Sequence, residues 1–125
     1  MNLLPLAQKL EDDGVGVQGR TVFINMMPAE CVKGILLRNK LSGTKIDYEL
    51  PGYYKTKFQL IARAQSYQVG SDLIDAAFES LTMANTKLDA MGVFFIRPST
   101  QAVTFPLSKG NLIEFAADFD AVFTV

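Results

Sequence analysis

The final stretch of the chain alternates for longer than any other. Ile113, Phe115, Ala117, Phe119, Ala121, Phe123 and Val125 fall on one side, with Glu114, Ala116, Asp118, Asp120, Val122 and Thr124 on the other. A period of two marks a strand with one face buried. A second run has the same form: Tyr54, Thr56, Phe58, Leu60, Ala62 and Ala64 face one way, and Lys55, Lys57, Gln59, Ile61 and Arg63 the other. Two long half-buried strands require a sheet with an apolar layer laid over one face.

Helical spacing supplies that layer. Leu3, Leu6, Ala7 and Leu10 form a stripe on a short helix capped by Asn2, with Pro5 in its first turn, ending near Asp12. Leu73, Ile74, Ala77, Phe78 and Leu81 form a second stripe after a cap at Ser66 or Ser71. Shorter extended segments are expected at Thr21–Met26, Val32–Arg38, Val93–Arg97 and Ala102–Phe105. The last two are expected to form a hairpin through Pro98-Ser99-Thr100. Asn39 to Tyr53 reads as a long loop, Asn85 and Thr86 as a polar turn, and Ser108 to Asn111 as the turn before the last strand. The order predicts an α+β fold: a mainly antiparallel or mixed β-sheet with two helices packed on one face. With 125 residues, 49% of them hydrophobic, the chain has material for one core, so residues 1–125 are expected to form a single domain.

The composition also removes chemistry. Histidine is absent, which excludes Ser/His/Asp and Cys/His nucleophile systems and His-ligated zinc within the chain. Cys31 is the single cysteine, so no intrachain disulfide forms, and its neighbours Ala29 and Val32 suggest a small buried apolar side chain. Gly14, Gly16 and Gly19 spell GxGxxG, but they follow a helix and precede a strand, the reverse of a dinucleotide loop. Met26, Met27, Met83 and Met91 are expected as core fillers. No run reaches the ~20 apolar residues needed to span a bilayer, and residues 1–10 lack the form of a signal peptide, so no membrane is expected as a partner.

Two polar groups remain. Glu114, Asp118 and Asp120 share a face of the last strand, and Lys55, Lys57 and Arg63 share a face of another. Such sets can pair across a sheet or between subunits, while a metal site or a carboxylate acid-base pair is the lesser alternative. Lys33 to Arg63 is basic, with Arg38, Lys40 and Lys45 between, against only Asp47 and Glu49. That charge suits a solvated face, an acidic protein neighbour or passing DNA. Tyr53 and Tyr54, beside Gly52, serve either as half-buried turn anchors or as interface anchors.

Pro51-Gly52-Tyr53-Tyr54 leads into Phe58-Gln59-Leu60-Ile61-Ala62-Arg63-Ala64 and then the helix through Leu73, Ala77 and Leu81. Pro106-Leu107, Lys109-Gly110-Asn111 and Glu114-Phe115 through Phe119 complete the pattern. Over Leu50 to Val125 this arrangement resembles the tail-terminator and minor capsid proteins of long-tailed bacteriophages, small α/β subunits at the head-proximal end of the tail tube. The resemblance implies a structural virion protein with no enzymatic activity and no cofactor. It implies a hexameric ring that stops tube polymerisation and meets the tail tube protein on one side and a head-completion or connector protein on the other. Assembly would take place in the host cytoplasm, and genomic DNA would pass the lumen without specific binding; tight duplex binding with a steep salt slope would contradict this. Interface candidates are Arg38, Lys40, Lys45, Tyr53, Tyr54, Lys55, Lys57, Glu114, Asp118 and Asp120. The alternatives are another neck or tail-completion subunit and, from a different class, a dimeric small-ligand-binding α+β module, which would need a concave apolar pocket.

Overall fold

A computed structural model describes residues 1–106 and 111–125. Its centre is the pair predicted from alternation: β4 (Tyr53–Ala64) and β8 (Ile113–Thr124) run antiparallel in register from Tyr53↔Thr124 to Ala64↔Ile113. Around them lie α1 (Leu4–Asp12), β1 (Val22–Ile24), β2 (Gly34–Asn39), β3 (Lys45–Ile46), α2 (Tyr67–Leu81), β5 (Met83–Leu88), β6 (Met91–Pro98) and β7 (Val103–Pro106). The main strand order is β1-β2-β4-β8-β6-β5, with β1 parallel to β2 and the other pairs antiparallel. The sheet is therefore mixed, and the fold is the expected α+β type.

Both helices lie on one face. Leu6 and Leu10 of α1 and Ile74, Ala77 and Leu81 of α2 join Ile35, Leu37, Phe58, Leu60, Phe115 and Phe119 in one core cluster. Phe119 stacks on Phe58 with ring centroids 5.1 Å apart and meets Phe78 edge-on at 5.2 Å. Gly70 lets α2 come close to β8, because a Cβ there would collide with the ring of Phe115. Ser66 caps α2, its Oγ accepting from the Val69 N–H at 3.2 Å, and Ser71 lies inside the helix. The helices are tied by Ser80, whose hydroxyl donates to Asp13 at 2.7 Å. Lys9 and then Ser80 hold the Asp13 carboxyl below the ordinary carboxylate range.

Several expectations change. Asn2 does not occupy the cap position of α1; that place is taken by Leu3, and Asn2 accepts from the Leu4 N–H at 3.1 Å. The segment 39–53 contains β3, which continues the line of β2 along β4 after the excursion 40–44. Asn85 and Thr86 are not a turn but lie within edge strand β5, where Asn85 takes φ 52° opposite the irregularity at Phe94. The expected β6–β7 hairpin does not form, since both strands pair with β8 in succession along one edge. The cause is local: the Ser99 N–H donates to the Asp118 carbonyl at 2.8 Å and Thr100 Oγ1 accepts from the Asp118 N–H at 3.1 Å, which holds the connection against β8. Cys31 is half-buried with its thiol donating to the Lys33 carbonyl, while Met26 and Val125 are exposed rather than inside. Most of the turn expected at Ser108–Asn111 falls outside the described residues.

Candidate protein interface

The face of the sheet opposite the helices carries the polar groups singled out above, and the register explains why. Arg63 lies opposite Glu114, Gln59 opposite Asp118, and Lys57 opposite Asp120. Facing positions of opposite charge stabilise a sheet by about 0.2–1 kcal/mol each when exposed. Arg63 Nε donates to Glu114 at 3.0 Å and Lys57 Nζ meets Asp120 at 2.8 Å, while Lys40 reaches over from the excursion after β2 to Asp118 at 2.7 Å. The hydrogen bond to Asp120 raises the Lys57 ammonium above the ordinary lysine value. Each of the three candidate carboxylates thus pairs with a cation of the same chain. Among the described residues, no group of three carboxylate or cysteine side chains is placed to hold a metal ion.

Arg63–Glu114 is the most buried of these pairs, with side-chain exposures of 12% and 11%. Arg63 Nη1 also donates to the carbonyls of Pro28 at 2.9 Å and Cys31 at 3.1 Å, so the pair fastens the loop before β2 to the sheet. Glu114→Ala would leave this largely buried guanidinium without its counter-charge. The expected loss is about 2 kcal/mol, read as a lower urea midpoint, with a smaller loss for Glu114→Gln. A change under about 0.5 kcal/mol would place the pair with ordinary surface pairs.

The remaining candidates divide between the two faces. Arg38 donates to Gln59, Lys55 stands 5.8 Å over the ring of Tyr53, and Lys45 lies opposite Lys55. Tyr54 points the other way and stacks on Phe123 at 5.5 Å, whereas Tyr53 meets Phe94 at 5.4 Å. Both tyrosines are half-buried anchors within the chain. Sequence reasoning marks Tyr48 and Leu50 as apolar or aromatic residues of a long, functional or mobile loop without naming them interface candidates, and it passes over Leu41 and Ile46. Leu41 is 107% exposed, Ile46 62%, Tyr48 93% and Leu50 54%. Their clustering in one short polar-flanked segment was the available signal. A cleft of about 570 Å³ is lined by Arg38, Lys40, Leu41 and Gln59, and another of about 360 Å³ by Lys45, Lys55 and Lys57. Lysine or arginine side chains line both depressions.

Fold and surface together define a small α+β domain whose charged side chains lock to one another while an apolar segment stands out from the sheet. The chain belongs to the bacteriophage tail terminator family, whose model matches residues 9–125. That is a family of structural virion proteins. The fold is similar to that of a chain from the virion of a native gene transfer agent particle, with a TM-score of 0.72 and 14% identity over 98% of this chain and 95% of the other. No curated protein matches the chain. No helix among the described residues is long and apolar enough to cross a membrane.

Proposed function

We propose that this protein forms a ring, with six copies as the resemblance implies, at the head-proximal end of a phage tail tube, where it stops tube polymerisation and joins the tail to the head-completion proteins. The observation that carries the reading is the tail terminator match over residues 9–125. The task calls for binding surfaces rather than reacting groups, and the protein acts without catalysis or cofactor. Closure of a ring uses a heterologous interface, one patch meeting a different patch on the next copy. The segment with exposed Leu41, Ile46, Tyr48 and Leu50 suits one side of such a contact, together with Lys45 and Tyr53. Arg38, Lys40, Tyr54, Lys55, Lys57, Glu114, Asp118 and Asp120 support that surface from the sheet. Assembly takes place in the host cytoplasm and genomic DNA crosses the lumen without sequence-specific binding.

Mass measurement of the purified protein, alone and mixed with tail tubes, followed by electron microscopy of the mixture, tests the proposal. Sixfold rings seated on tube ends, with tube growth halted, are the expected result. A monomer or dimer that leaves tube length unchanged at every ratio would overturn it.

A further inference from the structure

We propose that the helix-free face of the sheet is a docking surface for the phosphate backbone of duplex DNA. The chain has a formal charge of only −1, yet its charges are segregated by layer. The two helices and the residue ending α1 carry Glu11, Asp12, Asp13, Asp72, Asp75 and Glu79 against Lys9 alone. The opposite face of the sheet, by register, carries Arg38, Lys45, Lys55, Lys57, Arg63, Lys87 and Arg97, joined by Lys40 from the adjoining loop. Against these eight bases stand Glu114, Asp118 and Asp120, each paired with one of them. Arg63 is nearly buried against the loop that carries Glu30. Arg38, Lys45, Lys55, Lys87 and Arg97 are the five outside these ion pairs. Asp47 and Glu49 lie at the margin beside Lys45. A polyanion is therefore drawn to the sheet and turned away from the helices.

The arrangement within the face favours nucleic acid over an acidic protein. A protein interface places its apolar groups at the centre and its charges at the rim. Here two charged rows cross the middle, Lys57, Asp120 and Arg97 in one and Arg38, Gln59 and Asp118 in the next. The following apolar row of Leu36, Ile61 and Ala116 has Leu36 and Ile61 buried, while exposed Phe94, packed on half-buried Tyr53, stands at one end and exposed Phe105 at the other. The Arg97 guanidinium carbon stands 4.1 Å over the ring of Phe95 and Lys55 stands over Tyr53, so aromatic rings hold these cations on the face. The depressions at Arg38, Lys40 and Gln59 and at Lys45, Lys55 and Lys57 present cations, which suit phosphate, so contact is with the backbone and independent of sequence. The proposal rests on the ring reading only for where DNA would meet the protein; the charge segregation stands without it.

Fluorescence anisotropy of a labelled mixed-sequence duplex, titrated with the full-length protein across a range of salt, tests this. Binding is expected to be sequence-independent and weak, in the non-specific range of about 10⁻⁴–10⁻⁶ M near physiological salt, and tighter at low salt. Arg38→Gln, Lys55→Gln, Lys87→Gln and Arg97→Gln combined, four positions outside the ion pairs, should lower low-salt affinity at least tenfold and flatten the salt slope by about one for each phosphate no longer neutralised. Arg20→Gln, in the turn before β1 and outside the charged rows, should change neither. If the combined variant proves unfolded by circular dichroism, Arg97→Gln and Arg38→Gln singly should each show a severalfold loss. No duplex binding at low salt, equal loss in Arg20→Gln, or polyglutamate bound as tightly as DNA would each overturn the proposal. Tube capping is scored separately: a protein that caps tubes but ignores DNA refutes this inference alone, and one that binds DNA without capping refutes the ring reading.

Discussion

Phe119→Ala is expected to remove about 3–5 kcal/mol of folding stability. The ring is fully buried at the centre of β8, stacked on Phe58 from β4 and touched edge-on by Phe78 from α2. Truncation would therefore detach the helix layer from both central strands at one point. Two effects add: apolar area is lost, and a cavity opens because Phe58 and Phe78 belong to elements whose positions are set elsewhere, α2 by the close approach of Gly70 to Phe115 and β4 by its full register with β8. A domain of this kind has about 5–15 kcal/mol in total, so the variant should melt far below the parent or fail to fold at moderate temperature. Phe119→Leu keeps most of the volume and should lose less. Chemical denaturation followed by far-ultraviolet circular dichroism gives the numbers. A loss below about 1 kcal/mol for the alanine variant would mean that the aromatic trio does not organise the core.

That trio also explains how far the fold was legible. β4 and β8 are buried on one face and carry the ion pairs on the other, so the environment imposes alternation over most of their length, with Ile61 and Val122 buried on the second face as exceptions. α2 is legible for the same reason, with its stripe of Ile74, Ala77 and Leu81 against the sheet. The ladder followed once those strands were placed side by side, because positions sharing a face in each strand must meet in register. Edge strand β5 is different: the residues from Ala84 to Lys87 are all exposed and Asn85 has a left-handed backbone, so no periodic pattern marked it out. The failure over β6 and β7 has its source at Phe94 and Asp118. Adjacent Phe94 and Phe95 disguise a shift of register, and the bonds from Ser99 and Thr100 to the Asp118 backbone are tertiary interactions with no local signature. Among the candidate interface residues, the charged ones were visible by type. What the sequence hid was that Lys40 and Asp118, far apart along the chain, are partners of each other.

That pairing alters which substitution best separates folding from assembly. Lys40→Glu would set two carboxylates together beside Asp118, so a defect in assembly could arise from the altered sheet rather than from a weakened interface. Leu41→Ser with Tyr48→Ser avoids the difficulty, because both side chains stand almost wholly in solvent and surface changes of this kind shift stability by about 0.5 kcal/mol or less. Apolar and tyrosine side chains left in water by one copy have most to gain when another surface covers them. If each contributes as an interface anchor of about 2 kcal/mol, the pair together corresponds to a loss of about a thousandfold in tube-end or neighbour affinity. The expected outcome is a variant with the melting temperature of the parent that no longer forms rings or caps tubes, and a sharp fall in infectious particles when it replaces the parent during assembly. Parent-like rings and capping by the double variant would remove the 41–50 segment from the interface and shift the docking site to the exposed edge formed by Val103 and Phe105 of β7.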